Sequence, residues 1–127
     1  MNDVDVKAWV ENGPSPKLLE ATEKLGKQLK EKKLTTSQIR QVFTKLKAIE
    51  AKGYGNEQRV EFMMLKPFLA YAAGRQNNDG LREFKEKMTC GIEAVIGGDT
   101  ADESQRFKNF CKLFEAVLAY HKAYGGN

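Results

Sequence analysis

A chain of 127 residues has the length of a single domain, residues 1–127, able to bury roughly two-thirds of its unfolded surface around one core. Its composition, 41% hydrophobic and 30% charged, excludes both a disordered tail and a membrane-spanning protein. The net charge of +4 is unevenly spread: between Lys24 and Lys52 nine cations face two anions, whereas residues 56–127 carry ten of each. Such an excess polarises one part of the molecule toward a polyanion, and nucleic-acid phosphate is the commonest such partner. The longest apolar stretches, Phe62 to Leu65 and Phe68 to Ala73, are divided by Lys66-Pro67. They fall far short of the ~20 residues a bilayer crossing needs. The acidic start Met1-Asn2-Asp3-Val4-Asp5 is unlike a secretory signal, which predicts a cytoplasmic protein. Cys90 and Cys111 stand among apolar residues and are expected as buried, reduced thiols.

In chain order, nearly every segment repeats apolar residues with the helical period, so the fold class is all-α. A short segment around Val6 to Val10 comes first. Ser15-Pro16 reads as an N-cap followed by proline at the first helical position, opening a helix to about Lys32 with Leu18, Ala21 or Thr22, Leu25 and Leu29 inward. Gly26 within it is expected to cost about 1 kcal/mol against alanine. Thr35 and Gln38 form a capping box, flanked by Leu34 and Ile39 at the positions of a hydrophobic staple. The stripe Ile39, Val42, Phe43, Leu46, Ile49 follows, and Gly53 or Gly55 ends that helix. Arg40 and Lys47, seven apart, share one exposed line, and Lys45 and Lys52 a second.

Asn56 is the expected cap of a third helix running to Gly74, kinked or broken at Pro67. Because Phe62 to Ala73 is apolar on nearly every side except Lys66, burial on two flanks is expected, at the centre of the fold or in a contact between copies. Asp79 is read as the cap of a fourth helix with Leu81, Phe84, Met88, Ile92 and Val95 inward, ending at Gly97-Gly98. Thr100 and Glu103 suggest a capping box for the last helix, whose stripe is Phe107, Phe110, Cys111, Phe114, Val117 or Leu118, and His121. The whole is a compact bundle of four to five antiparallel helices.

Few residues point to bond-making chemistry. His121, the only histidine, is expected in a partly exposed capping or packing role near a helix C-terminus, with no nucleophile or acid spaced to serve it. One His and two separated Cys supply no metal-ligand pair. Asp102-Glu103 and Glu83-Glu86 read as surface charges at helix starts. Gly97-Gly98-Asp99 joins helices where a metal-binding GGD turn would join strands, and Gly53-Tyr54-Gly55 lacks the Lys-Ser/Thr of a phosphate loop. No catalytic residue, metal or cofactor is therefore expected. Arg75 differs in kind: it closes a mainly apolar helix one turn after Tyr71, where an arginine beside an aromatic can engage a phosphate or stack on a base.

Thr35 to Arg40 (TTSQIR) with its apolar stripe, and Leu65 to Arg75 (LKPFLAYAAGR), resemble the two signature segments of the small Csm subunit of type III-A CRISPR interference complexes. The resemblance implies a non-catalytic helical bundle, present in several copies and stacked beside the backbone subunits that hold the guide RNA. Its implied partners are single-stranded target RNA, the guide–target duplex, other CRISPR effector subunits and copies of itself, with no membrane. Carried onto this chain, Arg40, Lys66 and Arg75 become contacts to target-strand phosphates, with Lys45 and Lys47 on neighbouring exposed lines. Phe68 follows Pro67 where the family pattern suggests a further lysine. The residues alone leave a second function open, a helical interaction module whose basic face is incidental.

Overall fold

The computed structural model describes residues 1–127 and is all-helical. Seven α-helices follow in order: α1 (Asp3–Asn12), α2 (Pro16–Glu31), α3 (Thr36–Lys52), α4 (Asn56–Met63), α5 (Leu65–Arg75), α6 (Asp79–Ile96) and α7 (Glu103–Ala123). A single 3-10 turn, Thr100–Asp102, precedes α7. They form a bundle around one cluster of 26 buried apolar residues. No helix is long and apolar enough to cross a membrane.

The strongest local signals produce the structures they specify. Ser15 accepts from the Leu18 amide, with Pro16 opening α2. Thr35 accepts from the Gln38 amide at 3.2 Å while the Gln38 side chain accepts from the Thr35 amide at 2.9 Å, a closed capping box. Leu34 and Ile39 are both buried beside it.

Several expectations need correction. Asn78, one residue ahead of Asp79, caps α6 by accepting from the Leu81 amide at 2.8 Å. Gly55 precedes α4 and donates its amide to Gln58, so Asn56 is the first helical residue and not the cap. No Thr100–Glu103 box forms, because Asp99 instead accepts from the Ala101 amide and starts the 3-10 turn. The interruption of the third helix falls at Met64, three residues before Pro67. That offset has a direct cause: proline withholds its N–H from, and presses its ring on, the carbonyl four residues earlier, here Met63. Phe62 to Ala73 is buried on one flank only: Phe62, Leu65, Leu69 and Ala73 face inward, while Met63, Met64 and Tyr71 are exposed.

α2 and α7 make the most extensive helix pair. They run the same way, since Gly13 before α2 lies beside Asn109, and Gly26 lies beside Tyr120. A Cβ on Gly26 would stand 2.7 Å from Tyr120 Cβ and 2.8 Å from the His121 backbone nitrogen, so only glycine admits this approach. Further along α7, His121 packs inward on the apolar stripe as expected, but it is fully buried rather than partly exposed. Its Nε2–H donates to the Leu34 carbonyl oxygen at 2.6 Å, and Gly126 folds back against its ring. α1 covers α6 and α7, inserting Val6, Trp9 and Val10, with the Trp9 indole donating to the Asn109 carbonyl at 2.9 Å.

Gly26→Ala is expected to destabilise the protein. The alanine gains about 1 kcal/mol of helix propensity, but overpacking a backbone contact costs about 1–3 kcal/mol. Thermal unfolding followed by circular dichroism should show a lower Tm, and a raised Tm would mean that the helices separate freely.

Candidate nucleic-acid interface

Because α2 and α7 run together, their C-termini meet at one end of the bundle, where the C-terminus of α5 joins them through the loop into α6. The turn between α2 and α3 packs on that loop: the Gly80 amide donates to the Lys32 carbonyl at 3.2 Å, and Asn78 Nδ2 to the Lys33 carbonyl at 3.1 Å. Gln38 on α3 and Gln76 after α5 join side chain to side chain. Residues at the tail of the chain lie over the start of α3, where the Asn127 carbonyl accepts from the Thr36 amide. Lys30, Arg75 and Lys122 occupy the last turns of α2, α5 and α7, where the negative ends of the helix dipoles favour cations.

The cations at this end differ in how they are satisfied. Lys32 pairs with Glu83 at 2.6 Å, and Arg82 with Asp79. Lys33, Arg40, Arg75 and Lys122 make no ion pair. Arg40 and Lys122 share a shallow depression with Thr36 and Ser37 that contains no apolar side chain.

The five residues drawn from the sequence are not brought into one cluster. Arg40 and Arg75 lie exposed at this end, on α3 and at the close of α5. Lys45 sits midway along α3, its Nζ 4.8 Å from the centroid of the Phe68 ring on α5. Lys47 lies on the opposite flank of α3 and pairs with Glu50 at 2.7 Å, a hydrogen bond that raises its pKa. Lys66, about 14 Å along α5 from Arg75, pairs with Glu93 of α6 at 3.6 Å. Arg40, Lys45 and Arg75 thus present unpaired charge, whereas Lys47 and Lys66 are engaged in half-exposed surface pairs.

Lys33 escaped sequence reasoning. It closes α2 with φ +73°, the left-handed conformation that glycine usually supplies, as the Leu34 amide returns to the Leu29 carbonyl at 3.0 Å. A lysine there bears about 1–2 kcal/mol of backbone strain. Its place at the tip of a lysine-rich run was visible, but its backbone conformation was not.

Elsewhere the titratable groups are structural. Glu103 is buried rather than a surface charge, accepting from the Tyr54 hydroxyl at 2.6 Å and from Arg59 Nε at 2.7 Å, and so ties α4 to α7. Burial pushes its pKa up. The hydrogen bonds from Tyr54 and Arg59, with the positive charge of Arg59 and Arg106, outweigh that and hold it below the ordinary value. Burial and the bond to Glu103 push the Tyr54 hydroxyl up. Arg106 is buried and donates to the Val95 carbonyl at the end of α6. Both cysteines are free; Cys111 is buried and Cys90 half-buried, and burial raises both thiol pKa values. No three His, Cys, Asp or Glu side chains stand together as metal ligands would. A cavity of about 840 Å³ at the other end, beside α1 and the close of α6, is lined by the acids Asp3, Glu11, Glu93, Asp99 and Asp102 along with Lys7 and Arg106.

Two measurements follow from these side chains. Lys33→Gly should relieve the left-handed strain and raise stability by about 0.5–1 kcal/mol, read as a higher Tm. Glu103, held low in the native state, contributes stability that is present above pH 4.5 and lost as pH falls through its native value. Acid unfolding of Glu103→Gln should therefore be less steep below pH 4.5 than that of the parent chain, and equal slopes would exclude this carboxylate as the acid-sensitive group.

The model of the Csm2 type III-A family matches residues 14–127, which leaves α1 outside the matched span. A relative from Enterococcus italicus, named "CRISPR system Cms protein Csm2", is 31% identical over 100 residues, covering 72% of this chain and 68% of the relative. No solved structure matches the chain.

Proposed function

This chain belongs to the Csm2 type III-A family, the small subunit of a type III-A CRISPR complex, and on that premise we propose that it binds target RNA through backbone phosphates without reading sequence. One observation carries the reading: Arg40 and Arg75, with Lys33 and Lys122 at the same end and Lys45 along α3, are cations that no carboxylate neutralises. A phosphate strand supplies the missing anions, and the counterions it releases drive association. Lys47 and Lys66 extend the track. Their present partners are exposed, such pairs contribute about 0–1 kcal/mol, and each lysine can exchange a carboxylate for a phosphate at little cost.

The subunit takes no part in cleavage and acts in several stacked copies. In support of the first, the one buried carboxylate, Glu103, accepts from Tyr54 and Arg59 and serves to hold α4 to α7. In support of the second, Val60, Met63 and Met64 leave an exposed apolar surface on α4 and at its junction with α5, suited to a neighbouring copy or another effector subunit. Weak binding by one subunit is multiplied along a strand when several are held in a row.

That apolar surface also favours a second reading, an interaction module that never touches RNA. On this view the cations lie at the helix C-termini because the dipoles stabilise them there, by about 0.3–1 kcal/mol each.

Titration with single-stranded RNA at several salt concentrations separates the two. Three to five phosphate contacts give a log–log slope of about −2 to −3.5, and a flat response overturns the RNA reading. In the assembled complex, Arg40→Glu with Arg75→Glu should leave the subunits associated but release target RNA. Intact assembly with unchanged RNA retention would establish the interaction module instead.

A further inference from the structure

Tyr71 is the most exposed aromatic residue of the chain, at 67% of its free surface, on a helix whose opposite face is core. Tyr54 and Tyr124 give their hydroxyls to Glu103 and Glu23, but Tyr71 makes no such bond. The Arg75 guanidinium lies 5.5 Å from the ring centroid. Phe68, three residues earlier on the same stripe of α5, carries Lys45 over its ring at 4.8 Å. Two cation–aromatic pairs thus follow in succession along α5, one reaching it from α3, and neither cation is paired with a carboxylate.

We propose that Tyr71 is a stacking platform for one unpaired nucleobase, with Arg75 holding the ring and meeting the adjoining phosphate. The inference rests on the RNA reading above and deepens it by naming the form of the ligand. Every base has a π-face, so an exposed ring beside cations captures single-stranded nucleic acid without selecting sequence. A base within a duplex keeps both faces against its neighbours and cannot reach the ring. The exposed ring therefore takes a strand with at least one base free of pairing and stacking. Arg75 suits this role better than lysine would, because its planar guanidinium lies along an aromatic face while its N–H groups remain directed at phosphate oxygens.

The test uses the full chain with three probes of equal length: oligouridylate, its abasic counterpart, and an RNA duplex. Tyr71→Ala should weaken oligouridylate binding about 5- to 150-fold, the loss of one base–aromatic stack, with the salt slope unchanged. Tyr71→Phe keeps the ring and should bind as the parent does. The parent should bind the abasic strand and the duplex more weakly than oligouridylate, and Tyr71→Ala should bind those two probes as the parent does. Circular dichroism verifies that the exposed substitutions leave the fold intact. If Tyr71→Ala binds oligouridylate as tightly as the parent, with a steep salt slope, the platform is overturned and the phosphate reading survives. If the parent binds no probe, both are overturned. A loss of self-association in Tyr71→Ala with unchanged RNA affinity would overturn the platform and assign the ring to a contact between copies.

Discussion

The near contact of α2 and α7 at Gly26 governs where the rest of the molecule can go. With backbone against Tyr120 and His121 and no side chain between, the two helices travel together and finish at the same end. The turn after α2 then lies beside the last turns of α7, within reach of the His121 imidazole, which satisfies the Leu34 carbonyl from inside the protein. The turn entering α6 seats on the same loop through Gly80 and Asn78. Three helix C-termini share one end as a consequence, and their dipoles make it a place where lysine and arginine are stabilised even before any ligand arrives.

That end is not optimised for the stability of the free chain. Lys33 occupies a conformation in which glycine would be less strained, Tyr71 leaves an aromatic ring in water, and Lys30, Lys33, Arg40, Arg75 and Lys122 lack carboxylate partners where acids could have been placed. At the opposite end short bonds from Tyr54 and Arg59 hold Glu103, and Glu61 pairs with Lys52. Departures from local preference such as those of Lys33 and Tyr71 are what a binding surface leaves behind when folding and recognition compete for the same residues.

What could be seen in the sequence was whatever depends on neighbours within one helical turn. Thr35 and Gln38 satisfy each other three residues apart, and the stripes of α3 and α6 follow from periodicity alone. What could not be seen depends on partners far along the chain. His121 is buried because Leu34, 87 residues earlier, offers it a carbonyl. Glu103 turns inward because Tyr54 and Arg59 meet it there, and Lys66 is engaged because Glu93 comes alongside from α6. The choice of Asn78 over Asp79 as a cap, and of Met64 over Pro67 as the break, are shifts of one and three residues that local chemistry explains once the backbone is known. For the interface, the sequence identified the type of charge and the segments bearing it, but ion pairing decided which of Arg40, Lys45, Lys47, Lys66 and Arg75 were free.

α1 has a consequence of its own. It places Trp9, the sole indole of the chain, 1% exposed between α6 and α7, far from the basic pole. Its emission is therefore a private signal of whether this N-terminal cover is seated. A ligand stacking on α5 would alter tyrosine fluorescence and leave the tryptophan band quiet, whereas detachment of the cover would shift that band alone. The molecule carries two optical reporters, one for each pole.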